Sequence, residues 1–150
     1  MRTPPTMKDL QPSDFIAIIA LLTSFASVFF AQKSKNAAEK ANNINLHSHQ
    51  KTIYHAFYEL KMHIEIKGEF AEIRKVSKYY YQALDAKFYF NQEIAEQFKK
   101  FFDLCFEIAD ISRVEGRTKT ERDEARNKLN CAREIANELD GKIIKKITEI

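Results

Sequence analysis

The chain of 150 residues has no tryptophan and few residues that interrupt helices, with three glycines and three prolines. The prolines (Pro4, Pro5 and Pro12) all lie near the start, so beyond residue 12 only the glycines interrupt helical sequence. Proline removes a backbone donor, and glycine lowers helix stability. The scarcity of both indicates an all-α fold.

The sequence also has little that could carry chemistry. It contains no glycine-rich phosphate loop and no serine or cysteine in a nucleophile motif. The two cysteines, Cys105 and Cys131, lack metal-site spacing, and their apolar helical surroundings indicate reduced thiols in a cytosolic domain. One disulfide in an exported domain is the alternative. We predict no catalytic residue and no cofactor.

The four histidines, His47, His49, His55 and His63, lie in one predicted helix. A helix places metal ligands on one face at spacings of three or four, whereas His47 and His49 are about 200° apart and the others are separated by eight residues. No Glu-x-x-His pair occurs, so a carboxylate-bridged metal site in a bundle is not predicted. We expect these histidines to be solvated or hydrogen-bonded.

Two further polar segments have structural interpretations. Lys61, Lys67 and Arg74 are interleaved with Glu65, Glu69 and Glu72, which predicts a ladder of surface ion pairs. The three tyrosines of SKYYYQ, residues 77–82, face different directions on a helix, so we expect them to be partly buried with their hydroxyl groups outward.

Charge is balanced along the chain, with a net charge of +3 and a pI near 8.8. Acidic and basic residues are interleaved without a basic stripe. Proteins that bind nucleic acid usually concentrate their positive charge on one face, so no nucleic-acid partner is predicted.

One uncharged run separates Asp14 from Lys33. A helix over residues 15–31 is roughly 25 Å long, within the usual range for a spanning segment. Its strongly apolar residues contribute roughly −3 to −6 kcal/mol to insertion, reduced by a threonine and two serines. They are Phe15, Ile16, Ile18, Ile19, Leu21, Leu22, Phe25, Val28, Phe29 and Phe30. We predict a tail over 1–13, a transmembrane helix over 14–32 and a helical bundle over 33–150.

Two alternatives for this run are less favoured. A cleaved signal could end at residues 24–26, but the leader contains Asp9 and Asp14, and the apolar sequence continues beyond that point. A buried core helix would carry charge on its outer face, and this run carries none. The bilayer is therefore the predicted environment.

Lysine and arginine in the flanks indicate the orientation of the span. The N-terminal flank carries Arg2 and Lys8, whereas the C-terminal flank carries Lys33, Lys35 and Lys40. Because positive flanks stay in the cytoplasm, we expect the C-terminal domain on the cytoplasmic side of the inner membrane.

Small residues recur at alternating spacings of three and four, which places them on one helix face. They are Ala17, Ala20, Ser24, Ser27, Ala31, Ser34, Ala38 and Ala41, and the pattern continues to Asn45 and Ser48. Small residues let helix backbones approach closely in lipid, where apolar surface gives no driving force. We predict that this small-residue face is an oligomer seam; the high alanine and serine content of residues 15–48 is the compositional alternative.

The remaining sequence predicts an antiparallel bundle with helices over about 33–67, 70–84, 91–113 and 119–149. Gly68 ends the first helix, Asn91 caps the third, and Thr118 with Glu121 forms a capping box. Residues 84–93 are predicted to form a turn, and Gly116 ends the third helix.

Apolar positions at helical spacing predict the core of this bundle. The first helix contributes Leu46, Gln50, Ile53, Phe57, Leu60 and Ile64. The second contributes Phe70, Ile73, Tyr80 and Leu84. The third contributes Ile94, Phe98, Phe101, Phe102, Cys105, Phe106, Ile108 and Ala109, and the fourth contributes Ala125, Leu129, Ala132, Ala136, Leu139, Ile143, Ile147 and Ile150.

The apolar run, followed by ANNINLHSHQKTIYHAFYEL (residues 41–60) and ALDAKFYFNQEIAEQF (residues 83–98), resembles a set of small uncharacterised bacterial membrane proteins. Members have one N-terminal span and a C-terminal helical domain with an A-[KR]-F-L-F-type turn. Here Tyr89 replaces the usual leucine. The resemblance implies the architecture predicted above and implies no activity.

These features together predict a single-pass membrane protein that acts as a tether or scaffold through protein contacts and is not an enzyme. Its expected partners are the lipid bilayer and either further copies of the chain or another protein. The alternative is a membrane-active effector of a stress or phage-defence module, whose clustered spans perturb the bilayer.

Overall fold

The computed structural model of the chain describes residues 11–148. In this range every regular element is helical, which confirms the predicted all-α fold. The α-helices are α1 (Pro12–Lys67), α2 (Ile73–Val76), α3 (Tyr80–Tyr89), α4 (Gln92–Ser112) and α5 (Lys119–Thr148). Short 3₁₀ helices occupy Gly68–Phe70 and Ser77–Tyr79.

The chain divides into two units, residues 1–44 and residues 45–150. The described part of the first unit, residues 11–44, is helical from Pro12 onward, and all of its residues are exposed. The second unit contains the buried core, which is built from the remainder of α1 and from α2 to α5.

Ion pairs and hydrogen bonds in the second unit show that α4 and α5 are antiparallel. Lys128 Nζ lies 2.6 Å from Glu107 Oε2, and Gln97 Nε2 donates to Glu138 Oε1 over 3.1 Å. Residue numbers therefore fall along α4 as they rise along α5. The short loop between these helices imposes this direction, as expected for neighbouring helices in a bundle.

Three phenylalanine rings meet in the core of this unit. The Phe57 ring on α1 packs edge-on against Phe98 and Phe101 of α4, with centroid distances of 5.6 and 5.4 Å. Edge-to-face packing adds to the free energy gained by burying the rings. The predicted core positions of α1 are buried from Gln50 onward. All predicted core positions of α4 except Phe106 are buried, and those of α5 are buried as far as Ile143. Ile150 lies outside the described residues.

The ends of the helices follow local sequence signals. Gly68, which follows α1, has a φ of +56°, a conformation that favours glycine. The Asn91 side chain accepts from Ile94 N at 2.9 Å and caps α4. Thr118 N donates to Glu121 Oε2 over 2.7 Å while Glu121 N donates to Thr118 Oγ1 over 3.2 Å, which confirms the capping box.

The segment between α1 and α4 differs from its prediction. Residues 70–84 do not form one helix, because Ala71 and Glu72 have extended ψ values of 142° and 120° and a 3₁₀ turn separates α2 from α3. The turn predicted over 84–93 is helical as far as Tyr89, so only Phe90 and Asn91 connect α3 to α4. Phe70 and Tyr80, predicted as core residues, are largely exposed.

Candidate functional site

The most unusual surface of the molecule is the apolar segment of α1. One helix near the N-terminus is long and apolar enough to cross a membrane, with a mean hydropathy of 2.1 over 18 residues and none of that window buried. Its ten large apolar side chains, Phe15 to Phe30, are between 45% and 69% exposed. Because nothing covers them among the described residues, the buried core helix considered above is not what the structure contains.

Hydroxyl groups in this segment donate to the backbone of their own helix. Ser24 Oγ donates to Ala20 O over 2.7 Å, and Ser27 Oγ donates to Thr23 O over 2.8 Å. Thr23 Oγ1 lies within hydrogen-bond distance of Ile19 O and Ala20 O. Since lipid offers no partners to polar groups, a spanning helix must satisfy its donors internally, and this segment does so.

The small-residue face, defined by Ala17, Ala20, Ser24, Ser27, Ala31, Ser34, Ala38 and Ala41, lies wholly in the first unit and is exposed throughout. At about 100° per residue these positions fall within about 120° of the helix circumference. The serine donors of the apolar segment are used inside the helix, so close backbone approach is what this face offers a second helix.

Helix α3 has an apolar face on each side. Ala83 and Ala86 point into the core and are almost completely buried. Tyr81, Leu84 and Phe88 recur at helical spacing on the opposite side, where Tyr81 is 72% and Phe88 is 69% exposed. Leu84 lines a groove of about 460 Å³ beside α4. This outer face of α3 was not identified from the sequence, because residues 84–93 were expected to form a turn.

The histidines do not converge on one site. His63 Nε2 accepts from Glu72 N at 3.1 Å, and the His49 ring stacks on Tyr89 at a centroid distance of 4.7 Å. Partial burial lowers the pKa of His63, although the Glu72 carboxylate acts in the opposite direction. No group of three or more possible metal ligands occurs among residues 11–148.

The two cysteines are free and differ in environment. Cys105 is fully buried, and burial raises the pKa of its thiol well above the usual value. Cys131 is half-buried. A buried thiol with a raised pKa is a poor nucleophile, so Cys105 has a packing role.

The predicted ion-pair ladder is formed largely with another helix. Of the three glutamates, only Glu72 pairs with a nearby lysine of the predicted set, Lys67, whereas Lys61 pairs with Asp140 of α5. Arginines of α5 bind the other two. Helix α5 lies antiparallel to the end of α1, because the partners of Lys61, Glu65 and Glu69 have falling residue numbers. The pairs are Lys67–Glu72 at 3.3 Å, Arg133–Glu65 at 3.1 Å and Arg126–Glu69 at 3.4 Å.

The tyrosines of residues 77–82 divide between two environments. Tyr79 is half-buried and its hydroxyl donates to Glu59 Oε2 over 2.9 Å, whereas Tyr80 and Tyr81 are exposed. Burial, followed by the hydrogen bond to Glu59, raises the pKa of Tyr79 to about 12. The expected partial burial therefore holds for Tyr79 and not for Tyr80 or Tyr81.

A buried polar side chain, Gln50, joins α1 to the α3–α4 connection. It is 1% exposed, and its Nε2 donates to Tyr89 O over 2.7 Å. The sequence places Gln50 in the core stripe but gives no indication of this partner, which lies 39 residues away. The bond satisfies a carbonyl near the end of α3 that has no partner within its own helix.

No family model, curated protein or solved structure matches this chain.

Proposed function

We propose that the protein is a single-pass membrane tether, in which α1 holds the second unit at a lipid surface and that unit binds proteins. The observation that carries the proposal is the fully exposed, uncharged apolar helix between Asp14 and Lys33. Exposed apolar patches larger than a few hundred Å² are rare on soluble monomers and mark membrane or protein contacts. The hydroxyl groups of Thr23, Ser24 and Ser27 donate within the helix, so they leave no unpaired donor to oppose insertion.

The same proposal includes a place and an orientation. We assign the span to the inner membrane with the second unit in the cytoplasm, on the basis of the lysines that follow Gln32 and of the free state of Cys105 and Cys131. A reporter fused after Ile150 tests this, since cytoplasmic activity supports the assignment and periplasmic activity overturns it.

We propose the outer face of α3, formed by Tyr81, Leu84 and Phe88, as the protein-binding surface. Exposed aromatic residues at i and i+7 resemble the anchors of helix-mediated contacts, in which a few aromatic side chains supply most of the affinity. Replacing Tyr81 and Phe88 leaves the core unchanged, because Ala83 and Ala86 form the inner face of α3.

The membrane assignment is tested by placing charge in the span. Each aspartate adds about 2.5–3.5 kcal/mol to insertion, so Leu22→Asp with Phe25→Asp cancels the favourable free energy of the run. We expect the wild-type chain to remain in the membrane fraction after an alkaline wash and the double variant to be released. The control is Leu22→Val with Phe25→Leu. A wild-type chain in the soluble fraction overturns the proposal.

The proposed binding surface is tested by crosslinking in native membranes. Tyr81→Ser with Phe88→Ser should abolish crosslinks that the wild-type chain forms through the second unit, while its thermal unfolding stays unchanged. Lys100→Ala, at an exposed position on α4, is the control and should retain them. Identical crosslinks in all three chains contradict this surface. Growth arrest and depolarisation on overexpression would instead favour the membrane-active effector.

A further inference from the structure

A cavity of about 340 Å³ lies where the end of α1 meets the α4–α5 connection, within the second unit. Its lining combines three arginines with an acidic and an aromatic side chain. The lining residues that the proposed site depends on are Glu69, Phe70, Gly116, Arg117, Arg122 and Arg126. The proposed tether function assigns no role to this cavity.

Backbone contacts hold two of the arginines in place. Arg117 Nη1 donates to Glu69 O over 3.2 Å, and its guanidinium carbon lies 5.0 Å from the centroid of the Phe70 ring. Arg122 donates from Nε and Nη2 to Arg117 O over 3.2 and 3.0 Å. A guanidinium group has five N–H donors, so both side chains keep unused donors after making these bonds. Gly116 precedes them with a φ of +74°.

Positive charge exceeds negative charge at the cavity. Arg126 pairs with Glu69 over 3.4 Å and its side chain stays 62% exposed. Arg117 and Arg122 form no ion pair with the described residues, although Arg117 contributes to the lowered pKa of Glu121. Hydrogen bonds with Thr118 are the larger cause of that lowered pKa, so Glu121 is committed to the cap of α5. The lining therefore holds three guanidinium groups and one carboxylate, that of Glu69, whose Oε2 is buried without a hydrogen-bond partner.

We propose that this cavity binds the phosphate group of a small soluble organic phosphate. Planar guanidinium forks match phosphate oxygens in charge and geometry, and Arg122 and Arg126 supply the donors. Phe70, which is 61% exposed, offers an apolar surface to the remainder of the ligand. The cavity volume lies at the small end of the range for small-molecule sites. The alternative is that the arginines only tie the α4–α5 connection to α1.

The test measures binding of pyrophosphate to the full chain in a lipid-free detergent by calorimetry. We expect saturable binding by the wild-type chain, and affinity at least about tenfold lower for Arg126→Gln, because hydrogen bonds between charged groups are stronger than neutral ones. Arg122→Lys, which keeps the charge but loses the fork, should also weaken binding. Lys100→Ala is the control for removal of a surface charge and should bind as the wild-type chain does.

Three results overturn the site. They are no binding by a folded wild-type chain, equal losses in Arg126→Gln and Lys100→Ala, and unchanged affinity in both arginine variants. A second arm uses nanodiscs with and without phosphatidylglycerol. Pyrophosphate binding that anionic lipid abolishes indicates that a lipid headgroup occupies the cavity, which overturns the assignment to a soluble ligand. Because the first arm contains no bilayer, its failure is distinct from a failure of the membrane proposal.

Discussion

Lys61 Nζ on α1 lies 2.8 Å from Asp140 Oδ2 on α5, and the hydroxyl of Tyr54 donates to Oδ1 of the same carboxylate over 3.1 Å. The side chains of Lys61 and Asp140 are 16% and 22% exposed. Burial is the main cause of the raised pKa of Tyr54, and the hydrogen bond to Asp140 is the next. One carboxylate thus connects two helices across 79 residues of sequence.

Replacing Asp140 should be strongly destabilising. Asp140→Ala leaves the Lys61 ammonium largely desolvated and without its partner, and we expect the free energy of unfolding to fall by about 2 kcal/mol, below the 3–5 kcal/mol of fully buried pairs. Chemical denaturation measures it. Adding Lys61→Met should recover part of this loss, because the unpaired charge is gone. Strictly additive effects of the two substitutions would show that the ion pair contributes nothing.

The fold could be predicted where large apolar residues follow a helical period. Phe57, Phe98 and Leu139 belong to such stripes and are fully buried, and the cap at Asn91 follows from local chemistry alone. The Lys61–Asp140 contact could not be predicted, because every surface helix carries interleaved charges and only the packed structure selects the partner.

Residues 70–84 form a segment whose structure could not be predicted from the apolar pattern. Phe70, Tyr80 and Tyr81 in this segment are exposed, whereas its buried hydrophobic positions are the smaller residues Ala71, Val76 and Ala83, whose signal is weak. The extended conformation at Glu72 depends on a tertiary contact, since its N–H donates to His63 Nε2 on α1. The sequence pattern therefore predicts one helix where the structure has two helices and two 3₁₀ turns.

The cavity lined by Arg117, Arg122 and Arg126 could not be predicted from the sequence, for a related reason. Arg117, Arg122 and Arg126 lie in a sequence segment rich in both signs of charge, and Glu69 lies 48 residues before Arg117 in the chain. Only the antiparallel contact between α1 and α5 brings the two segments together. The small-residue face, by contrast, is a one-helix pattern, and the sequence defines its members completely.

Tyr79 should make stability depend on pH in the alkaline range. Its pKa rises from 10.0 to about 12 in the folded state, so folding favours the protonated phenol. The resulting stabilisation is fully present below pH 10 and is lost as the pH rises through about 12. We expect the stability difference between wild type and Tyr79→Phe to shrink over this window, as measured by denaturation at a series of pH values.

A second substitution separates the causes of this shift. Glu59→Gln removes the negative charge next to the phenol, so the pKa of Tyr79 should fall. It should remain above 10.0, because burial is the larger cause. Ultraviolet absorbance of the tyrosinate, compared with Tyr79→Phe, measures this value. An unshifted Tyr79 in the wild-type chain would contradict the prediction.

The capping box of α5 should contribute measurably to the second unit. Thr118→Ala removes the hydroxyl that accepts from Glu121 N, and the expected loss is about 1 kcal/mol of unfolding free energy. Thr118→Ser keeps the acceptor and should be close to wild type. Thermal unfolding of both variants tests the prediction, which fails if alanine and serine behave alike.

Self-association through the proposed span can be tested with two substitutions of identical chemistry. Ala20→Leu places a branched side chain on the small-residue face and should weaken association, because the backbones can no longer approach closely. Ala26→Leu adds the same apolar surface about 120° from the centre of that face and should have no effect. Both changes favour insertion slightly, so neither result can be attributed to loss of the span. Energy transfer between labelled chains in vesicles measures association. Equal behaviour of the two variants would show that the face is a consequence of composition and not a contact surface.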